Sequence, residues 1–264
     1  MTNAPIGVFD SGLGGLSILQ ALKKRLPAEH FVYFADSGHA PYGERDDPFV
    51  LSRALNISEL LVAQGCKALV VACNTATAAG ISALRGRWPH LPLVGVEPAL
   101  KPAVALSQTG HVAVLATRGT LQSQKFETLV AQLPPLPDGE GAVLKTQACD
   151  GLADAIENFD HPKIEALIAQ YLQACGPLGQ GVGQVDTVVL GCTHYPLVFD
   201  IFKRLAPNIQ FLDTGEAVAR QTERLLSEQK LLKPTNEGFE PGPTTWLGSG
   251  DPELLARAVA QWKI

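Results

Sequence analysis

This chain has no concentrated basic surface in its sequence. Its 21 Lys and Arg are dispersed among 26 Asp and Glu, for a formal net charge of −5. A polyanion would meet no attractive stripe, which excludes nucleic acid as a main ligand. Long apolar runs are also missing: none approaches the roughly 18 residues of a membrane-spanning helix, so no membrane partner is expected. The opening MTNAPIGVFDSG lacks the basic segment, apolar stretch and small-residue cleavage site of a secretory signal. Cysteine is scarce, with five scattered residues, an odd number that does not suit a disulfide framework. Together these absences favour the reducing cytoplasm. What remains is 46% hydrophobic and 18% charged, the composition of a compact chain able to bury a core.

Short β-branched runs alternate with longer helical patterns nearly throughout, the signature of βαβ units and a mostly parallel sheet. In the first half IGVFD, FVYFAD, ALVVACN and LPLVGVE read as strands. LSILQALKKRLP, DDPFVLSRALNISELLVAQG and TATAAGISALRGRW read as helices. After Pro98 the pattern restarts, with strands at HVAVLATR, AVLKTQA and VDTVVLGCT and helices at LQSQKFETLVAQL, LADAIE and HPKIEALIAQYLQAC. The tail supplies a strand at TTWLG and a helix with Asp251 as N-cap and Pro252 at its first position. Two Gly/Pro-rich stretches, 134–141 and 175–184, read as surface loops. The strand before Ser11 echoes the one before Thr117, and LVVACNT echoes VVLGCTH. The expectation is two similar, doubly wound parallel-sheet α/β domains facing across a cleft in a pseudo-two-fold arrangement. Residues 1–97 and 213–264 would form the first domain and 98–212 the second, with the active site in the cleft.

The doubled cysteine is the chemical signal. Cys73 and Cys192 each follow an apolar strand and precede small polar residues, Asn74 and Thr75 in one case and Thr193 and His194 in the other. Ligands of open α/β sheets sit at the carboxyl ends of strands, and a helix start there draws a thiol down from about 8.5 toward neutrality. Both thiols are therefore expected to be exposed and reactive, whereas Cys66, Cys149 and Cys175 read as buried small hydrophobes. Four chemistries could use the pair. A nucleophile needs only one cysteine and a base, with His194 two residues from Cys192. A zinc site could be assembled from Cys73, Cys192, His194 and an acid, but the spacing of zinc motifs is absent, so no metal is expected. A redox disulfide would leave no room for substrate. Acid–base work, with a thiolate removing a proton and a thiol on the opposite face returning one, alone explains the duplication. It would invert a stereocentre without a cofactor, and the sequence has no assignable pyridoxal-phosphate lysine.

The segment IGVFDSGLGGLS raises a rival. Gly12, Gly14 and Ser17 approximate a dinucleotide-binding fingerprint after a strand, and Asp36 stands where a ribose-binding acid would. Against it, Asp10 places a carboxylate where a pyrophosphate would lie. As an amino-acid site the same loop is coherent: Asp10 could hold an ammonium group or assist a thiol, and Ser11 could bond a carboxylate. Capping of the following helix by Asp10 and Ser11 is compatible with that. In PYGER the Tyr42 and Gly43 amides could bind a carboxylate oxygen.

FDSGLGG, PYG, ACNTAT and LGCTHYP, taken in order, resemble the glutamate racemases, cofactor-independent members of the aspartate/glutamate racemase superfamily. The resemblance runs from Gly7 to the GSGDPE segment. It implies interconversion of L- and D-glutamate for peptidoglycan precursors, with Cys73 and Cys192 as the catalytic bases and no cofactor. Carried over by motif, Asp10, Ser11, Tyr42, Gly43, Asn74, Thr75, Thr193 and His194 would contact glutamate, with Thr117 the counterpart of Ser11. Asp10 would assist Cys73, and His194 would assist Cys192. The family's acid near the second cysteine falls in CDGLADAIE, where Glu157 is carried over and Asp150 and Asp154 compete. Aspartate racemases tend to carry Glu after the second Cys-Thr, so CTHYP points to glutamate. Members of the family are often homodimers. Two alternatives stand beside this reading: another amino-acid racemase of the superfamily, such as one for aspartate, and a non-catalytic amino-acid-binding protein.

Overall fold

A computed structural model describes residues 2–135, 141–234 and 240–264. The chain divides into two compact units, residues 1–96 with 215–264 and residues 97–214. In chain order the first runs β1 (Ile6–Asp10), α1 (Leu16–Arg25), β2 (Phe31–Ala35), α2 (Asp47–Ala63), β3 (Ala68–Val71), α3 (Asn74–Arg87) and β4 (Leu93–Gly95). The second follows with α4 (Leu100–Leu106), β5 (His111–Ala116), α5 (Arg118–Leu121), α6 (Gln124–Ala131), β6 (Val143–Ala148), α7 (Leu152–Glu157), α8 (His161–Ala174), β7 (Thr187–Leu190), α9 (Phe199–Leu205) and β8 (Gln210–Leu212). The chain then returns to the first unit with α10 (Gly215–Glu228), β9 (Thr244–Gly248) and α11 (Pro252–Trp262).

Each unit holds one sheet in which the strand pairs are parallel. The orders are β4-β3-β1-β2-β9 and β6-β5-β7-β8. Reading the second from its other end gives β8-β7-β5-β6, so its four strands repeat the first four of unit one in the same sequence. The central strands β1, β3 and β7 are buried along their whole length, as strands covered on both faces must be. In unit one Phe9, Val32, Phe34, Leu69 and Val71 pack with Val50, Ala54, Ile57 and Leu61 of α2 and with Ala76, Ile81 and Leu84 of α3.

Local chemistry sets the helix starts. Asp46 caps α2, Asp160 caps α8 and Asp251 caps α11, each accepting a backbone N–H, and a proline stands in each first turn. The helix expected over LQSQKFETLVAQL is α6, which begins three residues later than read, with the short α5 ahead of it. Ser123 accepts from the Phe126 N–H and starts α6, while Thr117 caps α5. Helices α4, α5, α9 and α10 and strand β8 are additions to the elements read from the sequence. Helix α10 buries Val218, Ala219, Thr222 and Leu226 and packs against α1. Of the two expected loops, 134–141 falls largely on 136–140, outside the described residues. The other, 175–184, is folded back on itself by the Gly179 N–H on the Val185 carbonyl and the Val185 N–H on that of Pro177. Among the described residues no helix is long and apolar enough to cross a membrane.

Four distant segments of unit one meet at a buried ion pair. Lys67 Nζ donates to Glu29 Oε2 at 2.6 Å, to the Thr2 carbonyl at 2.5 Å and to the Leu231 carbonyl at 2.8 Å. Glu29 Oε1 accepts the Lys233 N–H at 2.9 Å. Burial pushes the Lys67 ammonium down and Glu29 opposes it. The pair thereby ties β3 and the residues before β2 to both the start of the chain and the segment after α10. Lys67→Met should destabilise the protein by about 3–5 kcal/mol, since it strands a buried carboxylate, and Lys67→Met/Glu29→Leu should recover much of that. Urea midpoints of the two variants against the parent test this.

Candidate active site

Strand register brings the site residues of each unit together. Phe9 pairs with Val71, so two residues beyond that rung Ser11 comes level with Cys73. Leu115 pairs with Leu190, so at the same offset Thr117 comes level with Cys192. The echo read between Ser11 and Thr117 thus has a geometric basis. Outward of these rungs, Asp10 pairs with Ala35 and Ala116 with Ala148, which makes Asp36 and Cys149 counterparts as well. It also makes Ala116 the counterpart of Asp10. The thiol is repeated; the carboxylate beside it is not.

In unit one, Cys73 is the N-cap of α3, and its sulfur accepts the Ala76 N–H at 3.5 Å. Donors at a helix start stabilise a thiolate. Cys73 Sγ lies 3.8 Å from Ser11 Oγ, which is 3.4 Å from Asp10 Oδ1. The other oxygen of Asp10 accepts the Gly15 N–H at 2.7 Å, at the head of α1. A Cβ at Gly15 would stand 2.7 Å from that of Asp10, so only glycine allows this approach. Asn74 and Thr75, in the first turn of α3, are buried. Among the described residues the amide Nδ2 of Asn74 has no hydrogen-bond partner, an expensive state for a buried donor unless a ligand completes it.

The same geometry disposes of dinucleotide binding. The helix start that would take a pyrophosphate is filled by Asp10, and the acid that would take a ribose is already committed. Asp36 is wholly buried and receives Arg53 Nε and Nη2 at 2.8 Å each, Ser249 Oγ at 2.6 Å and the Tyr42 hydroxyl, with His39 Nδ1 at 3.0 Å. Burial alone would raise this carboxyl, but the hydrogen bonds from Arg53, Ser249 and Tyr42 outweigh it and hold it below the ordinary 3.8. Tyr42 is itself buried, and burial, with Asp36 next, pushes its phenol far up. Its side chain is therefore spoken for; what the Tyr42–Glu44 turn can offer a ligand is the backbone of Tyr42 and Gly43.

In unit two the second thiol departs from expectation. Cys192 leads into a 3-10 turn, Tyr195–Val198, ahead of α9. Its partner is a side chain: Cys192 Sγ lies 3.6 Å from His194 Nδ1, and His194 Nε2 is 2.5 Å from Glu157 Oε1. The Tyr195 N–H closes on the Cys192 carbonyl at 3.1 Å, and this turn lets residues two apart face each other where a strand would hold them apart. Burial would push the His194 imidazole down, yet its bonds to Cys192 and Glu157 outweigh that and leave it well above the ordinary value. Of the three competing acids only Glu157 faces His194. Asp150 pairs with Arg118 and Asp154 with Lys163 at exposed positions. Thr193 is buried in the same turn. Thr117 is half-buried and caps α5, accepting the Thr120 N–H at 3.3 Å.

The expectation of exposed thiols is corrected. Cys73 and Cys192 are 5% and 6% exposed, because each lies where a central buried strand ends and the next helix or turn begins. Exposure does not separate them from the other three; the kind of partner does, a helix-start N–H and a hydroxyl at Cys73 and an imidazole at Cys192, where Cys149 and Cys175 face the backbone carbonyls of Gln147 and Tyr171. Cys66 and Cys175 are raised by burial to about 11. Burial raises Cys149 further still, opposed by the Tyr195 hydroxyl facing its sulfur. All five cysteines are free thiols, and among the described residues no three His, Cys, Asp or Glu side chains converge on a metal position. Sequence reasoning did not find Arg53, Ser249 or Tyr195 as parts of this architecture, since no motif links them to the residues they meet.

A family model described as Asp/Glu/Hydantoin racemase matches residues 6–222. The chain is 46% identical over 233 residues to a glutamate racemase from Pseudomonas syringae pv. tomato, covering 87% of this chain and 81% of that protein. Among solved structures, it resembles a glutamate racemase isoform from Bacillus anthracis with TM-score 0.83 and 29% identity, over 100% of this chain and 95% of that one. It also resembles Escherichia coli glutamate racemase in complex with L-glutamate and the activator UDP-MurNAc-Ala, with TM-score 0.79 and 29% identity, over 98% of this chain and 95% of that one.

Asp36 carries a pH signature. Its folded value lies below the ordinary 3.8, so the unfolded chain binds the proton first as pH falls. Its stabilisation is complete above about pH 5 and is lost as pH drops through 3.8 and then through the folded value. Asp36→Asn should flatten the dependence of the urea midpoint on pH between about 5 and 3, compared with the parent protein.

Proposed function

We propose, because the chain belongs to the Asp/Glu/Hydantoin racemase family, that it interconverts L- and D-glutamate by cofactor-independent proton transfer at Cα. Cys73 and Cys192 act as the two bases on opposite faces of the carbon. One unit supplies the first and the other unit the second. The product D-glutamate serves peptidoglycan synthesis in the cytoplasm, and the protein works as a homodimer.

The observation that carries this reading is the pair of buried thiols, each at the carboxyl end of a central strand and each beside its own proton-handling group. At the start of a turnover one sulfur is a thiolate and the other a thiol, and the roles exchange for the opposite enantiomer. On the Cys192 side the chemistry is a relay. With Nε2–H donated to Glu157, Nδ1 of His194 can take the Cys192 proton and hold it, leaving a thiolate beside an imidazolium, or return it. On the Cys73 side the Ala76 N–H favours the thiolate, and Ser11 connects the sulfur to Asp10, which assists that proton's movement.

An amino-acid Cα proton is weakly acidic and a thiolate is a modest base, so charge developing on the substrate carboxylate must meet fixed donors. The unpartnered Asn74 amide is one such donor, with Thr75, Thr193, Thr117, Ser11 and the amides of Tyr42 and Gly43 completing the recognition of glutamate. The two chemistries suit proton removal and return because neither requires a group to be imported.

Three outcomes are expected. In deuterated water without cofactor, the α-proton NMR signal of L-glutamate should disappear while optical rotation decays to zero; binding without exchange would mean a sensor, and exchange of aspartate instead would mean a different substrate. Cys73→Ser and Cys192→Ser should each abolish racemisation, and normal racemisation by either variant would sink the mechanism. Glu157→Gln should lower kcat by about 10²-fold or more, whereas Asp150→Asn and Asp154→Asn should leave it near the parent value.

A further inference from the structure

The substrate-facing turn of unit one is held in place from the far end of the chain. Strand β9 pairs with β2, Leu247 with Phe34 and Gly248 with Ala35, and the Ser249 N–H continues the ladder onto the Ala35 carbonyl at 3.0 Å. That delivers Ser249 beside Asp36. Its hydroxyl donates to Asp36 Oδ1 at 2.6 Å and accepts the Gly38 N–H at 3.1 Å. The fit is tight: a Cβ on Gly38 would lie 2.6 Å from the Ser249 carbonyl oxygen, and one on Gly250 would lie 2.9 Å from the Ser37 Cβ.

Asp36 gathers three elements onto one carboxylate. Arg53 reaches it from α2 in a two-pronged contact, Ser249 from the segment after β9, and Tyr42 from the turn that follows β2. A carboxylate has about four lone-pair sites; those of Asp36 are taken, so it has no capacity left for a ligand and acts only on its neighbours. Tyr42 is the neighbour that matters. Its ring is buried in the cluster that contains Cys73 and meets Phe49 edge-on, and its turn packs against α3, the helix that Cys73 caps. With ring and hydroxyl both pinned, the orientation of the Tyr42 and Gly43 amides follows from where Asp36 stands.

We propose that Ser249 and Arg53, acting through Asp36, are positioning residues that aim the Tyr42–Gly43 amides at the substrate carboxylate. The segment following β9 is then part of the substrate-binding apparatus. This rests on the glutamate reading above, and it assigns ground-state binding, not proton transfer, to the three residues.

Two measurements on Ser249→Ala and Arg53→Met test it. The first is the amide 15N–1H spectrum of the ligand-free protein, which does not depend on the substrate's identity: the Tyr42 and Gly43 resonances should shift or broaden in both variants. The second is steady-state racemisation: KM for glutamate should rise about tenfold or more, with kcat within about threefold of the parent. Ser249→Thr, which keeps the hydroxyl at an exposed position, should restore both readouts. Amides that do not move, a KM that does not rise, or a loss in kcat alone would each overturn the proposal. A parent protein that exchanges no glutamate α-proton would instead overturn the functional reading, and the amide spectra would still report whether Ser249 and Arg53 set the turn.

Discussion

The candidate site of each unit depends on the register of one parallel ladder. Hydrogen bonding between β1 and β3 puts Phe9 opposite Val71, and between β5 and β7 it puts Leu115 opposite Leu190. Because strand residues alternate faces, a slip of one residue would turn Ser11 away from Cys73 and would rotate the core-facing Phe9 and Val71 out of the apolar layer. The core therefore enforces the geometry of the site. The same constraint explains why Gly191 precedes Cys192: a Cβ there would meet the Ala116 Cβ and the Leu115 carbonyl oxygen at 3.0 Å each, at the rung from which the second thiol is launched.

Upon that shared frame the two units diverge. The register makes Ala116 the counterpart of Asp10, so in unit two the carboxylate comes not from the adjacent strand but from α7, reaching the thiol through His194 of the turn after β7. The result is two sulfurs in unlike settings. Cys73 is addressed by a helix amide and a hydroxyl, Cys192 by an imidazole that is itself held by a carboxylate. The backbone is repeated between the units while the partners of the two thiols are not.

Among the described residues, each buried carboxylate is answered. Asp10 has Gly15, Asp36 has Arg53, Ser249 and Tyr42, Glu157 has His194, Glu29 has Lys67, and Asp186 is met by the Ser107 hydroxyl and the Gln108 and Thr109 amides. Leaving any of these alone would cost several kcal/mol. Against that background the Asn74 amide is conspicuous as a buried donor without a partner, and it stands next to Cys73. Tyr195 is the other case beside a thiol among the described residues; its hydroxyl faces the Cys149 sulfur, and burial raises its phenol.

Much of this was legible locally. The β-branched runs at β1, β3, β5 and β7 announce buried parallel strands because only such strands tolerate continuous apolar residues, and Asp251-Pro252 announces the start of α11 because that pair suits the first turn of a helix. The ordered motifs around Cys73 and Cys192 indicated the family. Other features needed the folded chain. That α6 starts at Ser123 and not two residues earlier depends on a hydroxyl choosing a backbone N–H over solvent. That Glu157 and not Asp150 or Asp154 meets His194 depends on how α7 docks. That Asp36 serves Ser249 depends on β9 pairing with β2 across more than 200 residues of sequence. The sequence by itself determined periodicity, caps and the residue types available for proton transfer, since these are set by neighbours along the chain. Which acids are desolvated, and which group each one answers, was decided only by tertiary structure, because burial and partnership arise when segments remote in sequence are brought into register.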